Sequence, residues 1–244
     1  MEHRGRFGVA VRELRGAQKT AKGVSLYSRH VNRPAGRVLA AAAHVAGLSP
    51  NQVTLISAGF SFAGIAALAV LKPSWPLAVA VYAALAVGFA FDSADGQLAR
   101  LRKESSAAGE WLDHVVDCAK ITALHAAVLI SFQRFFELPS ETWLLLPLGF
   151  QFAAVLIFFG GLLTAKLLPK PAKAGPGAPA PAPPSRLRAV ALLPVDYGVF
   201  CAVFLLLGDE ELFFAGYVFF FAAHVLLLGA FLVKWFRELS APPA

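Results

Sequence analysis

Between positions 92 and 117 the chain reads Asp92-Ser93-Ala94-Asp95-Gly96-Gln97-Leu98-Ala99-Arg100 and then Gly109-Glu110-Trp111-Leu112-Asp113-His114-Val115-Val116-Asp117. On a helix turning about 100° per residue, Asp92 and Asp95 are about 60° apart and Asp113 and Asp117 about 40° apart, so each pair shares a face. Carboxylates gathered in a low dielectric repel one another unless a cation neutralises them, and hard oxygen donors on this scale suit Mg2+ or Mn2+. The expectation is a site for two ions with Asp92, Asp95, Asp113 and Asp117 as ligands. Such a site can polarise a phosphoryl oxygen and stabilise the entering and leaving oxygens of a displacement. Gly96 and Ala99 leave room on the same face for a ligand to approach the backbone, and Arg100 offers a fork for phosphate oxygens. Two other readings stay open: a solvated loop whose acids cap helices or pair with Arg100, Arg102 or Lys103, and the ion route of a cation-coupled transporter. A transport route predicts acids deeper in the bilayer, whereas these gather at one edge.

The elements that position these acids are membrane helices. Hydrophobic residues make up 57% of the 244 and charged residues 15%, with a mean hydropathy of +0.62, too apolar for a soluble domain. Apolar runs bounded by charge, Pro or Gly predict six spans, at 52–71, 75–98, 109–133, 142–166, 189–207 and 212–236. The expected fold is all-α and polytopic, with the 101–108 connection making the second and third spans antiparallel neighbours, so that all four acids lie at one depth. Nineteen of the 22 Lys and Arg fall on the N-terminal side of such a topology, which places both termini and the acids in the cytoplasm. The formal charge of +7 then reports orientation and contact with anionic lipid, not binding of nucleic acid.

Residues 1–50 read as a basic cytoplasmic segment, in which the stretch from Val24 to Ala46 mixes Arg29, Arg33 and Arg37 with Val31, Val38, Leu39 and Val45, as a helix in the membrane interface does. Residues 51–240 read as the six-helix domain. Within it, 169–185 hold seven Pro, five Ala and two Gly, the composition of an extended linker. No signal peptide is expected, and Cys118 and Cys201, far apart inside apolar segments, read as packing residues.

The pattern D-x2-D-G-x2-A-R-x8-G-x3-D-x3-D, filled by Asp92, Asp95, Gly96, Ala99, Arg100, Gly109, Asp113 and Asp117, resembles the signature of the CDP-alcohol phosphotransferase (phosphatidyltransferase) family. The resemblance implies a six-helix membrane enzyme of phospholipid biosynthesis, a homodimer, that transfers a substituted phosphoryl group from a CDP-alcohol to a second alcohol and releases CMP. It implies metal binding by Asp92, Asp95, Asp113 and Asp117, with Asp117 also the base that deprotonates the acceptor. It implies nucleotide and diphosphate contacts from Gly96, Ala99 and Arg100, and a nucleotide contact from Ser106. The run Pro50-Asn51-Gln52-Val53-Thr54 resembles the family's lead into its first membrane helix, which borders the donor site; Pro50-Asn51 is equally a good helix start.

The donor is read first as CDP-diacylglycerol, because acids at the membrane edge let acyl chains remain between helices. The alternative is a soluble donor such as CDP-inositol with inositol phosphate as acceptor, since Tyr27-Ser28-Arg29-His30-Val31-Asn32-Arg33 faintly resembles relatives that use inositol phosphate. Lys120, three residues after Asp117, either neutralises that acid as a buried ion pair or meets the acceptor. Asp196 and Tyr197 either line the acceptor pocket or make structural hydrogen bonds, and Arg186 and Arg188 meet lipid headgroups, an acceptor phosphate or neither. His125 and His224 read as packing residues with local hydrogen bonds.

Overall fold

The computed structural model describes residues 2–16, 24–168 and 185–241, all in helices and their connections, with no strand among them. The 169–185 linker expectation falls, apart from Ser185, outside the described residues. Helix α1 (Glu2–Gly16) is followed by a π turn (Ser28–Asn32), α2 (Arg33–Val45), and four long helices: α3 (Pro50–Val70), α4 (Trp75–Arg102), α5 (Ala107–Phe135) and α6 (Leu145–Leu167). Short α7 (Arg186–Ala191) and α8 (Tyr197–Cys201) come next, with 3-10 turns at Leu193–Val195 and Ala202–Leu206, and α9 (Glu210–Ser240) ends the fold. Among the described residues five helices are long and apolar enough to cross a membrane, and Arg186–Val195 with Tyr197–Leu206 pass the same test only together, bent by 45°, as a broken span or a re-entrant loop.

Five of the six spans expected from sequence are continuous helices, and the fifth is a broken pair. Pro194 has no N–H to continue the helix, and Asp196 leaves it in an extended conformation (φ −75°, ψ 125°) before its carboxylate accepts hydrogen bonds from the Gly198 and Val199 amides at 2.9 and 3.2 Å to start α8. Other boundaries follow from capping. Ser49 and Gln52 form a reciprocal capping box at the start of α3, with Pro50 in its first turn. Helix α4 ends on Lys103 in the left-handed conformation (φ 57°), and Ser106 caps α5, so the turn between the two acid-bearing helices is tighter than the 101–108 connection expected.

Helices α3 and α4 approach closely because Gly88 has no side chain: a Cβ there would lie 3.1 Å from the Ser57 carbonyl and 3.2 Å from the Ser61 amide nitrogen. The Ser57 hydroxyl donates to the Gly88 carbonyl at 2.8 Å across this contact. The chain runs up and down, as its end contacts show. Lys166 at the end of α6 pairs with Glu110 at the start of α5 (2.6 Å), while at the other end Arg134 donates to the Ala69 carbonyl and the Glu137 amide to Glu210. That far half is cored by aromatic rings, among them Phe132, Phe150, Phe200, Phe204, Phe213 and Tyr217. His125 Nδ1 pairs with the Tyr217 hydroxyl at 2.6 Å, and His224 Nδ1 donates to the Phe220 carbonyl at 2.9 Å, the local hydrogen bonds expected of packing histidines. A smaller core at the acid-bearing end joins Ala10 and Leu14 of α1, Ala40, Ala41 and Ala43 of α2, Val53, Ala94 and Leu98.

Candidate active site

Helices α4 and α5 bring the four aspartates together. Lys120, only 4% exposed, lies between two of them, 2.6 Å from Asp92 and 3.1 Å from Asp117, and donates to Ser57 at 3.0 Å. Asp95, 5% exposed, accepts from the Thr54 hydroxyl at 2.7 Å and from the adjacent Gly96 amide, and lies within electrostatic reach of Asp92 and Asp113. Asp117 lies against Asp92 and within reach of Asp113. Donor atoms of Asp113, His114 and Asp117 fall within 4.8 Å of one another. His114, not singled out from sequence, also neighbours Glu110 (3.7 Å) and the ring of Phe158.

The charge balance is one-sided. Lys120 pairs with Asp92 and Asp117, and Arg100 lies within reach of Asp95. Four carboxylates against these two cations leave a formal excess of negative charge in a half-buried site, which fits hard divalent cations. Of the pairings the loop reading offered with Arg100, Arg102 or Lys103, Arg100 does lie within electrostatic reach of Asp95, whereas Arg102 donates to the ring and carbonyl of His44 and lies 3.9 Å from Glu104.

Residues read as substrate contacts divide into two groups. Gly96 faces open space, where an added Cβ would meet only the Arg100 guanidinium at 3.4 Å. Asn51 reaches the start of α5, its Oδ1 3.2 Å from where a Gly109 Cβ would stand, so the Pro50–Val53 run does border the acid-bearing helices. Other side chains of this set are engaged structurally. Gln52 is held in the capping box, Val53 is fully buried in the smaller core, and the Ser106 hydroxyl accepts the Gly109 amide at 3.1 Å. Ala99, through its carbonyl, accepts the Glu104 amide that closes α4.

Sequence reasoning gave no site role to the basic side of the interfacial segment. Gly36 of α2 packs so closely on α4 that a Cβ would stand 2.7 Å from Ser93 and 2.9 Å from the Gln97 amide nitrogen, which itself donates to the Arg33 carbonyl at 3.1 Å. Arg33 is thereby set against α4, within electrostatic reach of Arg100. Burial, and then the nearby Arg29, lower the basicity of the Arg33 guanidinium. The visible signal was the spacing of Arg29, Arg33 and Arg37, one helical turn apart.

Asp196 is a structural residue. One carboxylate oxygen caps α8, and the other accepts from Ser25 and, at 2.6 Å, from Ser28, tying the N-terminal segment to the broken span. Tyr197 instead lines a cavity with Ser61, Phe89, Asp92, Asp117, Lys120, Ile121 and Phe158. Arg186 and Arg188 are exposed on α7 and are not among its lining residues.

Comparison with known families agrees with the motif. The family model described as CDP-alcohol phosphatidyltransferase matches residues 47–228, from the turn before α3 into α9 and across the whole acid cluster. No curated protein matches the chain.

Proposed function

The chain belongs to the CDP-alcohol phosphatidyltransferase family and is an enzyme that transfers a phosphoryl group from a CDP-alcohol to a second alcohol, and from this premise we propose that its donor is CDP-diacylglycerol and that Asp92, Asp95, Asp113 and Asp117 hold two Mg2+ or Mn2+ ions. The observation that carries this reading is the convergence of four carboxylates at one end of apolar, membrane-length helices, two of them held by one ammonium. Bound there, the ions would supply Lewis-acid polarisation of the donor diphosphate.

The chain's own residues do the rest. Arg100 and Arg33 flank the open Gly96 face and bind diphosphate oxygens, with Asn51 bordering the nucleotide side. The acyl chains of a lipid donor remain along the apolar helices while its headgroup reaches this level. Asp117 takes the proton of the acceptor hydroxyl, whose oxygen attacks the phosphorus bearing the diacylglycerol; the bond between the two phosphates breaks and CMP leaves. Lys120 fixes the Asp117 and Asp92 carboxylates in place by its two ion pairs. The site lies on the cytoplasmic face by the distribution of Lys and Arg.

The test is CMP release by purified enzyme with CDP-diacylglycerol or CDP-inositol as donor, before and after chelation. The expected result is turnover with the lipid donor that EDTA abolishes and Mg2+ or Mn2+ restores. Turnover with CDP-inositol alone would transfer the assignment to a soluble donor, and chelator-resistant turnover would remove the ions.

A further inference from the structure

Residues 1–50 hold nine Lys and Arg against two Glu, and residues 51–244 hold thirteen of each sign, so the whole formal charge of +7 resides in the first fifty residues. The family match begins at residue 47 and assigns this segment no role. Its two helices show what that charge can meet. Helix α2 is clamped on α4 along one face: a Cβ on Gly36 would collide with Ser93, Gln97 donates to the Arg33 carbonyl, and Arg102 donates to His44. Gly36, Ala40 and Ala43 are buried. The opposite side carries Val31 of the π turn and then Ala35, Val38 and Ala42, spaced four, three and four residues apart and all exposed, Val31 by 49% and Val38 by 52%. Helix α1 turns Ala10 and Leu14 into the smaller core and leaves Arg12 and Arg15 exposed, with no ion pair among the described residues. An outward apolar stripe with exposed arginines nearby, at the acid-bearing end of membrane-length helices, is the make-up of a segment seated among lipid headgroups.

We propose that the N-terminal segment is a docking surface for the anionic lipids of the leaflet that holds the active site, and that by this means it gathers the donor. The gathering role rests on the reading of the donor as CDP-diacylglycerol, whose diphosphate makes it an anionic lipid; the surface itself does not. Charge decides the partner. The apolar stripe alone would accept any lipid, but each Lys or Arg held near the headgroups favours an anionic one by about fivefold. Residues 51–244 add no net charge to oppose this attraction. It acts over about 8 Å at physiological ionic strength, so it enriches anionic lipid along α2 and not around the whole protein. Helix α2 lies against residues 93–102 of α4, the stretch that holds Asp95 and Arg100. Donor drawn to that edge is therefore concentrated beside the acids without any new contact inside the site. Other anionic lipids compete for the same edge, and salt weakens the enrichment.

The experiment uses purified full-length protein in phosphatidylcholine vesicles, with and without phosphatidylglycerol. Val38→Trp places a reporter on the outward stripe, and quenching of the fluorescence it adds, by brominated phosphatidylglycerol or brominated phosphatidylcholine, gives the relative occupancy of the two lipids at α2. Phosphatidylglycerol should be favoured by about threefold or more at low salt, and the preference should fall towards parity at high salt. Arg12→Gln with Arg15→Gln removes two exposed charges outside the catalytic and binding machinery. It should at least halve the preference, raise the donor KM in CMP release by about two- to threefold and leave kcat unchanged, with the KM difference lost at high salt. Added phosphatidylglycerol should raise the wild-type donor KM more than that of the double variant. Equal quenching by the two lipids, a preference indifferent to salt, or wild-type preference in the double variant would overturn the surface; the last is the result for charges that only set topology. An unchanged donor KM in a double variant that has lost the preference would overturn the gathering role. Selective quenching in a protein that releases CMP only from CDP-inositol would leave the surface standing and sink the lipid donor.

Discussion

Asp117 is asked to hold metal and to accept a proton, and one substitution separates the two tasks. A carboxamide at this position keeps an oxygen for metal but cannot take a proton. Asp117→Asn should therefore bind donor nearly as the wild type does while kcat for CMP release falls at least about 100-fold, the usual scale for a positioned general base. Near-normal turnover would move the base elsewhere. Arg100 stands beside the open face left by Gly96, and its value there is the planar fork more than the charge. Arg100→Lys keeps the charge and loses the fork, so half-maximal CMP release should need about tenfold more donor, equivalent to about 1.4 kcal/mol. An unchanged donor dependence would assign Arg100 to contact with lipid.

At the scale of elements, the contact of α3 with α4 sets where Thr54, Ser57 and Ser61 stand relative to the acids. Gly88→Val would drive a side chain into the Ser57 carbonyl and the Ser61 amide, both backbone groups that cannot swing aside. A loss of about 1–3 kcal/mol and a lower Tm should follow, with loss of CMP release even at temperatures where the variant stays folded. A variant with the wild-type Tm would show that the two helices can part freely. The existence of these helices was legible because membrane length, Pro and capping residues are local signals: Ser49, Pro50 and Gln52 start α3, and Pro194 marks the break in the fifth span. The pairing of side chains between helices was not. That Lys120 would span Asp92 as well as Asp117, or that Asp196 would cap α8 while Tyr197 faced the cavity, depends on how helices dock and rotate, which no run of neighbouring residues encodes. For the same reason the capping hydrogen bonds of Gln52 and Ser106 to the backbone of their own helices were not separable, from sequence, from the substrate contacts expected of them.

Across the whole molecule, the 169–185 stretch joins α6 to α7, and its composition assigns it no chemistry. Loop-closure entropy changes slowly with length, so deleting Ala174 to Pro181 should change stability by less than about 1 kcal/mol and leave kcat/KM within about threefold. Loss of activity in a folded deletion variant would give the tether a role of its own. Asp196 ties together parts of the chain made at opposite ends of synthesis: Ser25, which bonds to it, lies 171 residues earlier. The segment holding Ser25 and Ser28 is synthesised before α3 to α9, yet the oxygen that receives its two serines belongs to the same carboxylate that starts α8. Until the fifth span arrives, α2 can settle on α4 while Ser25 and Ser28 still lack this partner. Final closure of the N-terminal segment over the acid-bearing end is therefore a late step in biogenesis, and a nascent chain halted after α6 would carry all four aspartates on an unfastened scaffold.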